Sequence, residues 1–261
     1  MPDPVGHYSA LLSALARLAG TDKAEGLAAR LDLDVEMRGL SVGARAPLSP
    51  AQLLARVDLL GELAARQPAL LPADIVSPEA LARFRAEAPR VPDRVDALWQ
   101  ILESDDRYIA LCHWNANVDN AWFWQTPEGD LRCGLLDWGC VGRMNVAMAI
   151  WGALVSAETT MWDNHFEALL THFTDEYAAA GGPVLDVSTL RDHVLAYAVI
   201  MGTTWLLDVP AYLLRLLPEP GADRFHPLIA GDEQARSRLL MMTNFLNLWQ
   251  RADTSRLLGT D

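Results

Sequence analysis

The chain has 261 residues, 51% of them hydrophobic, and a formal net charge of −13 from 21 Lys and Arg against 34 Asp and Glu. This is enough apolar material for one large domain or two small ones. The acidic balance, with Lys23 as the single lysine, argues against a nucleic-acid surface, because grip on a phosphate backbone needs clustered basic side chains.

The first hundred residues read as helices. The segment from His7 has apolar residues at helical spacing and is expected to end at Gly20. A second helix opens at Asp22, with Asp22 and Glu25 as a capping box. Ser49, Pro50 and Gln52 form a capping box and a first-turn proline for a third, and Ser77 with Pro78 repeats that opening. The stretch "PDRVDALWQILESD" is the last helix of this part. The period then changes. "RYIALCHW" is β-prone, and "DNAWFWQ" and "LRCGLLDW" form a hairpin through the turn "TPEGD". Helices return with "NVAMAIWGALVSAE", with "WDNHFEALLTHFTDEYAAAGG" closed by Gly181 or Gly182, with a long segment from Ser188 broken near Pro210, and with "GDEQARSRLLMMTNFLNLWQRAD". The longest apolar run, 194–207, is too short to span a bilayer and reads as a buried helix. The N-terminus has no basic region or export cleavage pattern. Cys112, Cys133 and Cys140 have no metal spacing, and an odd count argues against a disulfide framework. The expectation is therefore a cytoplasmic protein, not membrane-inserted, mainly α with one small β-hairpin. It is read as a single domain over 1–261, with N-terminal helices to 106, the hairpin and its loops over 107–145, and C-terminal helices over 146–261.

Two polar loops flank the hairpin, "CHWNANVDN" before it and "LLDWGCVGRMN" after it. A hairpin brings its ends together, so His113, Asn115, Asp119, Asn120 and Asp137 are expected to converge. Asn120 and Asp137 supply the amide and carboxylate oxygens that a hard cation such as Mg2+ takes. Trp114, Trp122, Trp124, Trp138 and Trp151 cluster in sequence around these loops. They are read either as core packing or as an aromatic pocket for a cation or a flat apolar ligand, which Trp205 and Trp249 would close. In the first hairpin strand Trp122 and Trp124 face one side and Phe123 the other. Asn145 is read as a helix cap, Arg143 as a surface ion pair, His165 and His172 as surface or core residues, and the cysteines as small apolar residues.

The order His113, Asn120, hairpin, then Asp137-Trp138-Gly139 resembles the C-terminal lobe of the aminoglycoside phosphotransferase and choline kinase-like superfamily. Its ecdysteroid-kinase-like relatives are the most similar, and the resemblance covers roughly residues 107–155. It implies a protein-kinase-like helical lobe, a structural role for His113, and magnesium held by Asn120 and Asp137. The position of the family's catalytic Asp falls on Asn115. An amide keeps the hydrogen-bonding capacity of a carboxylate but not its basicity, and Asp119 is a substitute only with its carboxylate turned inward. No glycine-rich strand–turn–strand with a phosphate-pairing lysine precedes the loops. The nucleotide lobe is therefore expected to be absent here, through fragmentation or loss, and ATP is a doubtful cofactor.

Three functions follow as expectations. The first is a phosphotransferase-like protein binding a small hydroxylated or phosphorylated molecule, with Asn115, His113 and Asp119 at the reacting position, Asn120 and Asp137 on the metal, and Trp114, Trp122, Trp124 and Trp138 against the ligand. The second is a magnesium-dependent lyase or cyclase acting on a prenyl diphosphate in a Trp-lined pocket. The third is a non-catalytic, pseudokinase-type binding module, with a second copy or a separate lobe as partner.

Overall fold

The computed structural model describes residues 3–259 except Glu36, Ala44 and Asp253, so the end of the last long predicted helix, at Asp253, lies outside the described residues. The fold is mainly helical with two small antiparallel sheets. In chain order the elements are α1 (Pro4–Glu25), α2 (Leu27–Arg30), α3 (Met37–Val42), α4 (Pro50–Arg66), α5 (Pro78–Glu87), α6 (Val91–Glu103), β1 (Ile109–His113), β2 (Ala121–Gln125), β3 (Leu131–Leu135), β4 (Val141–Asn145), α7 (Val146–Leu154), α8 (Thr159–Ala179), α9 (Val187–Trp205), α10 (Val209–Leu216), α11 (Pro227–Ala230), α12 (Glu233–Arg251) and α13 (Thr254–Leu258). The residues group into two compact units. One comprises 1–44 and 99–197, the other 45–98 and 198–261.

The first unit is built on α1, which packs against α8, α7, β1 and β3. Its inward stripe, Leu11, Leu12, Leu15, Ala16 and Ala19, is buried at the spacing of one helix face. The helix does not stop at Gly20. It runs to Glu25 and ends where Gly26 takes a left-handed conformation, φ 67°, which a glycine adopts without a Cβ clash. Asp22 consequently opens no helix of its own. It sits near the end of α1, 6% exposed, and its carboxylate accepts hydrogen bonds from the backbone N–H of Ala28 (2.6 Å) and Leu111 (2.8 Å). One buried charge thus fastens α2 and β1 to α1. Helix α7 is apolar all round because eight of its nine residues are buried.

The hairpin forms as expected, β2 on β3 with Ala121 opposite Leu135 and Gln125 opposite Leu131. A fourth strand was not legible. β4 pairs with β1, Ile109 opposite Asn145 and His113 opposite Val141, so the hairpin is an excursion between the two strands of the other sheet. The sequence of β4, Val-Gly-Arg-Met-Asn, contains a glycine and no alternating pattern strong enough to stand out. Asn145 ends the strand and caps α7, its side chain accepting from Ala147 N–H at 2.9 Å. Arg143 pairs with Asp106 at 3.1 Å, and His172 is held by Ser13 (2.7 Å) and the Ser9 carbonyl (3.1 Å).

The second unit contains the capping boxes. Ser49 Oγ accepts from Gln52 N–H (3.3 Å) while Gln52 Oε1 accepts from Ser49 N–H (2.8 Å), and Ser77 caps α5 through Ala80 N–H. Ser49→Ala is expected to cost about 1 kcal/mol, measurable as a lowered midpoint in urea denaturation. Phe84, Phe245 and Trp249 pack edge-on in this unit's core, with Trp249 Nε1–H donating to Glu87 at 2.8 Å. Trp249 is 2% exposed, so it is a core residue. Trp205 lies under the Arg45 guanidinium, 3.7 Å from its ring centre. The run 187–216 is long and apolar enough to cross a membrane by composition, yet 72% of its most apolar window is buried in the protein. Its break falls at Leu206–Asp208, a 3-10 turn just before Pro210 in the first turn of α10.

Candidate functional site

Hydrogen bonds join the two polar loops. His113 closes β1 and is fully buried. Its Nε2–H donates to the carbonyl of Leu136, 2.8 Å away on the far side of the hairpin, and Trp138 lies against its ring with centroids 5.1 Å apart. The Leu136 N–H in turn donates to the Asn120 carbonyl at 2.8 Å. Trp114 N–H donates to the Cys140 carbonyl at 3.0 Å, continuing the β1–β4 ladder into the loops. Asp137 is therefore the residue after a backbone pair that includes Asn120. The hairpin thus brings His113 and Asn120 to Leu136.

Within the first loop the side chains hold one another. Asn120 Nδ2–H donates to the Asn115 carbonyl at 2.8 Å, and Asn117 Nδ2–H to Asn115 Oδ1 at 3.2 Å. Asn117 Oδ1 also accepts from Asp119 N–H at 2.9 Å, setting the short turn 118–120. Asn117 carries more of this loop than any sequence pattern suggested. Its only signal was the tendency of Asn to bond the backbone two residues on. Asn115 is half-buried and Asp119 exposed. Burial, then the charges of Asp119 and Glu158, push the Tyr8 hydroxyl up to about 12, so Tyr8 stays protonated and offers no base.

Asp137 is the strained member. It has φ 56° and ψ 67°, a left-handed conformation that a non-glycine residue adopts at some cost, Asp and Asn least. Its side chain is exposed and makes no ion pair or hydrogen bond among the described residues. A carboxylate in that state can take a cation. Asn120, whose amide N–H is committed to the Asn115 carbonyl, keeps its oxygen as an acceptor. Two oxygens suit Mg2+, which retains several waters and takes phosphate oxygens for the rest of its shell. Among the described residues no group of three or more His, Cys, Asp or Glu side chains is placed to hold a metal.

The tryptophans divide. Trp151 is buried in α7 and packs against Trp162. Trp114 anchors its loop inward, with Nε1–H donating to the Tyr197 hydroxyl at 2.5 Å and that hydroxyl donating to Ser41 Oγ at 2.8 Å. Its carbonyl passes so close to Gly152 that any Cβ there would clash. Trp122, Trp124 and Trp138 are 64%, 43% and 46% exposed. The strand alternation is as expected, since Phe123 turns to the other face and meets the His7 ring at 4.9 Å. Cys112 is buried, and burial pushes its thiol pKa up strongly. The same cause lifts Cys133 to about 11, so neither is a ready nucleophile.

His193, on α9, accepts a hydrogen bond from Asn145 Nδ2 at 3.0 Å. Its pKa is lowered from 6.5 by burial, with Asp105 and Asp192 opposing. The unfolded chain therefore takes up this proton at higher pH than the folded one. The stability it contributes is complete above the unfolded value and is lost as pH falls through 6.5 toward the folded value. His193→Gln is expected to flatten the loss of melting temperature between neutral and mildly acidic pH.

Compared with family models, with curated proteins and with solved structures, the chain gives no match.

Proposed function

We propose that this chain is a phosphotransferase-like protein with a kinase-like helical lobe, which binds a small hydroxylated or phosphorylated molecule through a divalent cation held by Asp137 and Asn120. The observation that carries this reading is the unpaired carboxylate of left-handed Asp137, the residue after Leu136, whose N–H is bonded to the Asn120 carbonyl. Asn115 supplies an amide that hydrogen-bonds a ligand hydroxyl or phosphate but accepts no proton. His113, fully buried and bonded to Leu136, is a positioning residue. It holds the second loop against the first and touches no ligand. Magnesium, when bound, neutralises phosphate charge. The chain's own share is to orient the two loops and fix the register of Asn115. Ordinary ATP-dependent transfer by these residues alone is not part of the proposal, because phosphoryl transfer depends on positioning the whole triphosphate.

The exposure of Trp122, Trp124 and Trp138 weighs against the prenyl diphosphate lyase, since a carbocation needs an aromatic wall that excludes water. A thermal-shift series separates the readings, because a ligand that binds the folded state raises its melting temperature. Mg2+ with phosphorylated or hydroxylated small molecules is expected to stabilise the protein, and Mg2+ with prenyl diphosphates is not. Stabilisation by the diphosphates alone, or by neither set, would count against the proposal.

A further inference from the structure

We propose that the outer edge of β2 is a self-association surface on which a second copy of this chain lays its own β2, antiparallel, to make a four-stranded sheet across a two-fold axis. The register of the hairpin identifies the free groups. Thr126 N–H donates to the Asp130 carbonyl at one end and Leu136 N–H to the Asn120 carbonyl at the other, both at 2.8 Å. Both pairs lie on the register that sets Ala121 opposite Leu135. Positions 120, 122, 124 and 126 therefore turn their backbone groups toward β3, and Ala121, Phe123 and Gln125 turn theirs outward. Among the described residues no hydrogen bond reaches those outward groups.

The outer edges of β1 and β4 are engaged by other segments of this unit. Along β1, Leu111 N–H is taken by Asp22 at 2.8 Å and the Ile109 carbonyl by Lys23 at 3.3 Å. Along β4, Val35 bridges to Arg143, and α1 contacts β3. Among the described residues β2 keeps an open row of donors and acceptors, and its sequence, Ala-Trp-Phe-Trp-Gln, has none of the lysine, proline or charge that normally blunts an edge.

The occupant follows from charge and pattern. A two-fold pairing centred on Phe123 sets Ala121 opposite Gln125 of the second copy and Trp122 opposite its Trp124. No charged residue stands in the five paired positions, so the net charge of −13 brings no like charges face to face there. The two exposed tryptophans gain cross-strand aromatic partners, a favoured pairing.

Sedimentation velocity on the full chain over a dilution series is expected to show a dimer that dissociates on dilution, with tryptophan emission moving to longer wavelength as Trp122 and Trp124 return to water. The double substitution Trp122→Glu with Trp124→Glu is expected to give a monomer at every concentration. Trp122→Glu with Trp124→Lys is expected to restore the dimer, because position 122 of one copy faces position 124 of the other. A wild-type chain that stays monomeric throughout, whether or not it captures an extended segment of another protein, overturns the proposal. So does a dimer indifferent to both double substitutions, or one that the Glu/Lys exchange fails to restore. Because the wild-type emission needs no variant, the test survives a substitution that unfolds the ribbon.

Discussion

Asp22→Ala is expected to cost about 4 kcal/mol, because it leaves two buried backbone N–H groups without their charged acceptor. At this chain length that corresponds to a fall in melting temperature of about 10 °C. The carboxylate is 6% exposed and bonds Ala28 and Leu111. Its loss frees the end of α1, the start of α2 and the edge of β1 together. Asp22→Asn keeps the volume and one acceptor oxygen but turns an N–H₂ toward one of the two donors, so it is expected to cost less than alanine and more than zero. Calorimetry on the three proteins orders them. An alanine variant as stable as wild type would mean that the α1–β1 junction does not depend on this residue.

Asp137→Asn is expected to weaken divalent-cation binding at least about tenfold, or about 1.4 kcal/mol, while leaving the fold intact. Asparagine is nearly isosteric and tolerates the left-handed conformation that Asp137 adopts, so the substitution removes charge without adding backbone strain. The side chain is exposed and unpaired among the described residues, and its effect on the apo melting temperature is expected to stay within about 0.5 kcal/mol. The discriminating readout is the Mg2+-dependent part of ligand stabilisation, which should vanish while the apo transition stays in place. Equal losses in both would make Asp137 a structural residue.

Much of this arrangement was legible in the sequence where local chemistry dictates local structure. The Ser49 and Ser77 caps, the turn at 126–130, the alternation of Trp122, Phe123 and Trp124, and the cap at Asn145 all follow from short-range hydrogen bonding and strand period. What escaped is what distance in sequence hides. β4 is specified by its partner β1 more than by its own residues. α1 continues through Gly20 because tertiary packing overrides the weak helix propensity of one glycine. Asp22 looked like a cap because an acidic residue at that spacing usually is one, while its actual donors lie 6 and 89 positions away. Asn117 and the carbonyl of Leu136 were invisible for a related reason. Their importance comes from what reaches them across the loop, and a backbone carbonyl leaves no mark in a sequence.

Asp137 and Asn120 are expected to form one cation site. Electron paramagnetic resonance of the apo protein titrated with Mn2+ tests this without needing the ligand. One bound Mn2+ per chain is expected, competed by Mg2+ and lost or strongly weakened in both Asp137→Asn and Asn120→Ala. A wild-type protein that leaves all the Mn2+ free, or a bound ion that neither substitution disturbs, would contradict it.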